Sequence, residues 1–338
     1  RAGLSTALVE KTVQLGGLAT GGLVNWYVPL CDGHGHQVMF GIAEELLHLS
    51  MKYGPGEIPT GWKKFGEVEA RGRLKRYNIV FSPASFVLAL VEAVEDAGVH
   101  LWLDTLVCEP VMDGNRVTGA VVYNKSGKGI LRARCVIDTT GDADMAHRSG
   151  AECAEDDSWL SYYVLEASYE AAREALANPD PEWLTDPTKL DRLSVIGMYR
   201  VGSNDHGRGQ PLGIPKISGT DAEEATRFSL IGMRYLREHY QELYDEQGAL
   251  CRHEHFPVTL PTIPQIRTTR RIVGQETIPE GYENKAVPTS IGLIPDWSRA
   301  GRVWEIPYGA LMPRKVTGLI VAGRCMESGA VWEVTRVI

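Results

Sequence analysis

The 338-residue sequence contains no apolar run approaching the roughly 18 residues that a membrane-spanning helix needs. It contains no Cys-x-x-Cys pair. Its six cysteines (Cys31, Cys108, Cys135, Cys153, Cys251 and Cys325) are scattered. Iron–sulfur ligation and thioredoxin-type redox pairs are therefore unsupported. Scattered thiols suit a reducing compartment, so a cytoplasmic location is expected. There is no basic surplus. The formal net charge is −8, which argues against a nucleic-acid partner, since nothing offsets phosphate charge. The densest basic run, Arg71-Gly-Arg-Leu-Lys-Arg76, reads as a solvated loop. No internal repeat and no low-complexity segment occurs. What is present is a 43% hydrophobic content, enough for sizeable cores, in a chain long enough for two domains.

One further absence is informative. Ala7-Leu-Val9 has the pattern of a short buried strand, read as Leu4–Glu10, and Glu10 sits at its carboxyl end. Parallel sheets place ligands at that end, where an acid can accept both hydroxyls of a ribose. Gly16 and Gly17 then open a glycine-dense loop whose backbone can come close to a ligand. Together these read as half of a nucleotide site. The other half, a Gly-x-Gly-x-x-Gly turn, belongs roughly 20 residues before the acid, and Glu10 is only the tenth residue. The chain reads as beginning inside an element, Arg1-Ala-Gly-Leu-Ser5, so the true N-terminus is expected upstream.

Beyond the loop, Cys31-Asp-Gly-His-Gly-His36 marks special backbone angles. Gly41–Tyr53 reads as a helix stopped by Gly54-Pro55, and residues 56–77 as an exposed excursion. Ser82-Pro83 opens the clearest helix, with Ser as N-cap and Phe86, Val87, Leu90, Val91 and Val94 as its apolar face. Strands follow at about 100–103, 106–112, 116–123 and 129–138, a β-meander on an α/β core. The last runs into Thr139-Thr-Gly-Asp142, a second strand end with glycine and a polar group. After Gly150 the composition shifts toward Trp, Tyr and Pro, with a proline-marked break near 178–187. Residues 151–265 read as a second domain inserted into the first. Its longest helix opens on a capping box, Thr220-Asp-Ala-Glu223. Val303–Leu311 reads as a strand. Gly318–Arg324 is a third apolar strand ending in glycine and a charged residue, Gly323-Arg324.

Three strand ends of this kind now stand in the chain, and four stretches carry a resemblance. The stretches are Leu8-Val-Glu-Lys11 with Gly16-Gly-Leu-Ala-Thr20; Val136-Ile-Asp-Thr-Thr-Gly-Asp-Ala-Asp144; Arg267-Thr-Thr-Arg-Arg-Ile-Val-Gly274; and Ile306–Pro313 with Leu319-Ile-Val-Ala-Gly-Arg324. The chain resembles the FAD-dependent oxidoreductases of the glutathione-reductase-like superfamily, in the branch with an acid and a Gly-Gly loop after the second strand. The resemblance implies an α/β fold: a glutathione-reductase-like, Rossmann-type FAD-binding domain built from residues 1–150 and 266–338, with a β-meander. An inserted α+β substrate domain at 151–265 completes it. The first strand, its glycine turn and most of a C-terminal helix are missing by that pattern, with Arg336-Val337 as the helix's first residues. The resemblance also implies that Glu10, with Lys11 beside it, binds the adenosine ribose. Gly16, Gly17 and Thr20 then line the path toward the flavin, and the backbone near Val107 meets the adenine. Thr140, Gly141 and Asp142 sit by the pyrophosphate and ribityl chain, and Gly323 and Arg324 approach from the last strand.

The substrate side is read from residue chemistry. His34 and His36 are candidates for a proton donor because histidine is the residue type suited to that role, against the alternatives of a solvated loop or a metal ligand. No metal site is expected, because Cys31 and Asp32 lie too close in sequence for a usual zinc spacing. Arg267, Arg270 and Arg271 can anchor a carboxylate or phosphate, or pair with acids between domains. The Trp and Tyr residues of 159–169 read as core. The reaction expected is transfer of a hydride or electron pair between a small-molecule substrate and non-covalent FAD. The alternatives are an electron-transfer subunit docking a redox partner protein, and a nucleotide-fold protein without catalysis.

Overall fold

The computed structural model describes residues 2–54, 77–177, 196–204, 207–248 and 250–335. The basic run 71–76, most of the excursion 56–77, the proline-marked break and Arg336-Val337 lie outside the described residues. The chain divides into two compact units. The first comprises Arg1–Leu15, Leu90–Asp156 and Thr268–Ile338; the second comprises Gly16–Ala89 and Asp157–Arg267.

In the first unit, Ala7–Val9 pairs in parallel with His100–Trp102, Leu8 opposite Leu101. Val136–Asp138 pairs in parallel with Leu319–Val321, Ile137 opposite Ile320. The meander consists of Leu106–Asp113, Arg116–Asn124 and Gly127–Arg132. Its first turn needs Gly114, at φ 58°. The strand expected over 129–138 is two strands. Ala133 N–H still donates to Thr118 O at 2.9 Å, and Val136 N–H to Gly318 O at 2.9 Å. The chain thus leaves the meander and enters the parallel pair within three residues, which breaks the ladder. Val303–Leu311 likewise splits, into the strand Val303–Pro307 and a 3-10 turn at Tyr308–Leu311. The core joins Val117, Ala143, Met145, Ala146, Ile272, Val321 and Cys325.

The second unit is built on an antiparallel sheet in the order Ile196–Gly202, Ser161–Ser168, His255–Thr259. Helix Ala222–Gln247 packs on one of its faces, and Tyr162, Val164, Phe228, Leu236 and Tyr240 form the core between them. The helix cap lies one residue later than the capping box implies. Asp221 accepts from Glu224 N–H at 2.8 Å, and Glu224 Oε2 reaches back to Ser218 N–H. Asp outcompetes Thr because its carboxylate also meets the positive end of the helix dipole. Trp159, Tyr162 and Tyr163 are buried, while Tyr169 is exposed. Gly232 faces the Tyr162 ring so closely that an added Cβ would overlap it. Gly232→Ala is expected to destabilise by about 1–3 kcal/mol despite alanine's better helix propensity; a urea titration reads this directly.

A smaller cluster in this unit joins Leu30, Cys31, Leu47, Tyr77 and Ile79 around helix Ile42–Met51. The Tyr77 hydroxyl donates to buried Glu44 at 2.9 Å and lies 2.8 Å from His48 Nε2. Burial lowers the His48 imidazole, against the opposing pull of Glu44. Helix Pro83–Asp96 starts where the sequence places it, with Ser82 Oγ accepting from Ser85 N–H at 3.4 Å. Its most buried residues are Ser85, Phe86 and Ala89; the four expected aliphatic residues Val87, Leu90, Val91 and Val94 are half-buried.

Candidate cofactor site

An apolar strand that closes on an acid is the local unit from which the site is made. Asp138 ends Val136–Asp138 and is 1% exposed. A buried carboxylate must find donors, and it finds three. Oδ1 accepts from Thr140 N–H at 3.0 Å and Thr140 Oγ at 2.8 Å; Oδ2 accepts from Ala146 N–H at 3.0 Å. Thr140 Oγ in turn accepts from Asp144 N–H at 3.0 Å. Asp138 and Thr140, not Asp142, therefore satisfy the start of helix Asp144–Arg148. Asp142 is engaged elsewhere.

Gly141 stands at φ 85°. Its positive φ favours glycine there, and a Cβ would lie 2.9 Å from Arg324 Nε, so the Arg324 side chain would have to shift. Arg324 follows Gly323 at the end of the neighbouring parallel strand. Its Nε donates to Gly141 O at 2.7 Å, and its Nη2 to Asp142 Oδ1 at 2.6 Å. Two strand ends singled out separately in sequence thus meet. Arg270 completes the cluster: Nε donates to Asp142 O at 3.0 Å and Nη2 to Asp144 Oδ1 at 2.8 Å. Burial pushes the Asp144 carboxyl up even so, with Arg148 and Arg270 opposing it. Cys325, fully buried beside this turn, has its thiol pushed up to about 12 by burial and by the Asp138 charge, which keeps it protonated and unreactive.

Glu10 ends the other parallel pair. Its N–H donates to Trp102 O at 2.8 Å. Its Oε1 accepts from Thr12 N–H at 2.8 Å and Thr12 Oγ at 2.9 Å, and Oε2 takes no bond among the described residues. Lys11 beside it is exposed. Val107 lies in the first meander strand next to a register shift opposite Val121–Val122.

The second unit holds the glycine loop. Gly16 and Gly17 stand at φ 105° and 52° and lead into a 3-10 turn, Gly17–Ala19; Thr20 is 2% exposed. It also holds His34, His36 and Arg267. Asp32 organises the histidine loop. Oδ1 accepts from His34 N–H at 2.7 Å and His36 N–H at 3.1 Å, and Oδ2 lies 2.9 Å from His36 Nδ1. Burial raises the Asp32 carboxyl, but those three contacts outweigh it and hold it below its ordinary value. A depressed carboxyl contributes stability above its unfolded value, about 3.9, and loses it as the pH falls through the depressed one. Asp32→Asn is therefore expected to lower the denaturation midpoint at neutral pH, with the gap narrowing in acid; urea melts across a pH series measure it.

The sequence matches the family described as FAD dependent oxidoreductase over residues 1–331. The chain belongs to that family. FAD is accordingly its cofactor, and the residues of the first unit fit one. Glu10 holds out, at a parallel strand end, a carboxylate oxygen that takes no hydrogen bond among the described residues. A search of curated proteins finds no match. Among solved structures the chain is similar to THI4 of Thermovibrio ammonificans, at 16% identity and a TM-score of 0.29, covering 47% of this chain and 59% of that one. It is similar to CabE, an aromatic hydroxylase from angucycline biosynthesis, at 12% identity and a TM-score of 0.39, covering 81% and 54%. A third is the myxobacterial chondrochloren halogenase CndH, at 14% identity and a TM-score of 0.36, covering 98% and 71%. The chain thus spans little more than half the length of THI4 and CabE.

No helix among the described residues is long and apolar enough to cross a membrane. Sequence reasoning missed Asp138, although it is an acid closing an apolar strand, the same signal that marked Glu10. It also missed Glu327. This buried acid accepts from Arg271 Nη1 at 3.2 Å, and Arg271 Nε lies 3.5 Å from Asp156. No local pattern announces such a partner.

Proposed function

We propose that the chain is the core of a flavoenzyme that moves a hydride or electron pair between a small-molecule substrate and non-covalent FAD. The observation that carries this reading is the convergence of Gly141-Asp142 with Arg324 at the ends of two adjacent parallel strands. FAD supplies the two-electron chemistry; the protein binds, orients and excludes water.

In this reading the FAD-binding domain is of the glutathione-reductase-like type, assembled from residues 1–150 and 266–338, with 151–265 as substrate domain. Glu10 Oε2 accepts the adenosine ribose hydroxyls, with Lys11 adjacent, and the Val107 backbone meets the adenine. Thr140, Gly141 and Asp142 face the pyrophosphate and ribityl chain, and Gly323 and Arg324 close on the cofactor from the last strand. Gly16, Gly17 and Thr20 line the way to the flavin. His36, oriented by Asp32, holds or moves the proton, with His34 alongside it. Arg271, tied to Glu327 and Asp156, orders its own loop; Arg267 and Arg271 are the arginine candidates for the substrate side.

The test is retention of FAD. The protein is expected to be yellow and bleached by dithionite, and Glu10→Ala to weaken FAD binding by about 1–3 kcal/mol, the worth of hydrogen bonds to a charged group. Equilibrium dialysis followed by flavin absorbance measures the loss. A colourless protein that ignores added FAD refutes the reading.

A further inference from the structure

Arg270 opens the strand Arg270–Ile272 and is 8% exposed. It commits its guanidinium to the turn that follows Val136–Asp138. Nε donates to Asp142 O at 3.0 Å and Nη2 to Asp144 Oδ1 at 2.8 Å. Nη1 lies 3.6 Å from Glu155 Oε1, on the residue opposite it across the ladder. Arg324 holds the same turn one peptide earlier. Its Nε donates to Gly141 O at 2.7 Å, where Thr269 Oγ also donates at 3.4 Å. Two successive carbonyls of the turn are thus each taken by an arginine. A trans peptide points its N–H and C=O in opposite directions, so the Asp142 N–H is turned away from Arg324. It donates to none of the described residues.

The turn is also crowded with charge. Asp138, Asp142, Asp144 and Glu155 meet there, against Arg148, Arg270 and Arg324. Without Arg270, four acids would face two arginines, and that surplus would repel an anionic ligand. A lysine cancels charge, but only the guanidinium fork reaches a carbonyl and a carboxylate at once. We infer that Arg270 is a positioning residue for the cofactor: it fixes the Asp142 peptide and cancels the Asp144 charge, so that the turn receives the pyrophosphate of FAD. That the pyrophosphate meets this turn rests on the flavoenzyme reading above. Such a role has a signature in pH. Asp144 is faced by Arg148 from its own helix, by Asp138 and Asp142 from the strand end and turn, and by Arg270. Burial pushes its carboxyl up, and Arg148 and Arg270 oppose that. Without Arg270 the carboxyl rises further. As the pH falls through the raised value, Asp144 takes up a proton and its repulsion of the pyrophosphate disappears.

The experiment is equilibrium dialysis of FAD against the parent chain, Arg270→Met, Arg270→Lys and Asp144→Asn. Flavin absorbance reads it at about pH 8 and about pH 5.5, and urea titration without FAD checks that each protein is folded. Arg270→Met is expected to bind FAD at least about tenfold more weakly than the parent at the higher pH, and only a few-fold more weakly at the lower. Arg270→Lys, which keeps the charge and loses the fork, is expected to fall between the parent and Arg270→Met. Asp144→Asn still offers Arg270 an acceptor oxygen and sheds a negative charge, so it is expected to bind FAD at least as tightly as the parent. A folded Arg270→Met with parental FAD affinity, or with the same fold-loss at both pH values, overturns the inference. If Arg270→Met does not fold, the other two variants decide: parental affinity in Arg270→Lys, or weaker binding in Asp144→Asn, overturns it. A parent that never takes up FAD overturns the flavoenzyme reading itself. A parent that binds FAD, beside Arg270 variants that bind it equally well, overturns the role of Arg270 alone.

Discussion

Glu327→Ala is expected to destabilise the protein by about 3–5 kcal/mol, the cost of breaking a buried ion pair from one side. The Glu327 carboxylate is 6% exposed and gathers four donors. Oε1 accepts from Arg271 Nη1 at 3.2 Å, Thr277 Oγ at 3.3 Å and Gly329 N–H at 2.9 Å; Oε2 accepts from Gly274 N–H at 3.3 Å. Removing the acid strands all four. Among the described residues the Arg271 charge then keeps only the 3.5 Å contact with Asp156, itself half exposed. Arg271→Met is expected to cost less than Glu327→Ala, because Glu327 retains three other donors. The double variant is expected to cost less than the two singles combined, since removing both charges leaves neither orphaned. Urea denaturation of the four proteins gives the cycle. Strict additivity would show that Arg271 and Glu327 are not coupled.

Asp138→Ala is the second large effect, at about 3 kcal/mol, from the loss of a charged acceptor with three donors. Asparagine is no remedy. Every partner of Asp138 is a donor, so the amide nitrogen of Asp138→Asn must face either Thr140 or Ala146 N–H, and two donors meet. The two substitutions are therefore expected to fall within a factor of about two of each other in stability, unlike a site where one oxygen does all the work. Because Asp138 sets the turn that holds Gly141 and Asp142 against Arg324, both variants are also expected to lose FAD more readily than the parent. Thermal melts with and without added FAD separate the two losses. A variant with parental FAD affinity would detach that turn from the cofactor site.

The strand ends were legible because their signal is local: a few apolar residues, then an acid or glycine. That is how Glu10, Gly141 and Arg324 could be named from sequence and why the family was within reach. Boundaries were less legible. Strands of two or three residues give too short a period to show where one ladder stops and the next starts, as at Ala133–Cys135. The capping box was displaced by one residue because Thr220 and Asp221 both have the chemistry of a cap and only geometry chooses. Least legible were the partners of the arginines. Arg270 finds Asp144 across 126 residues and Arg271 finds Glu327 across 56. A triplet of arginines looks the same in sequence whether it waits for a ligand or is already paired. The pairing of Arg270 with Glu155 belongs to the same class, since it depends on the register of one antiparallel ladder.

The parallel pair Val136–Asp138 and Leu319–Val321 also sets a clock. Its closing contact, Arg324 to Gly141, joins residues 183 apart in the chain. At ordinary translation speeds the earlier strand emerges roughly 10–40 s before its partner exists. Throughout that interval it has an open edge, and Ile137 stays 61% exposed even after the partner arrives. An unpaired apolar strand held open for so long is a template for the wrong neighbour. Slower translation of residues 142–318 is thus expected to lower the soluble yield.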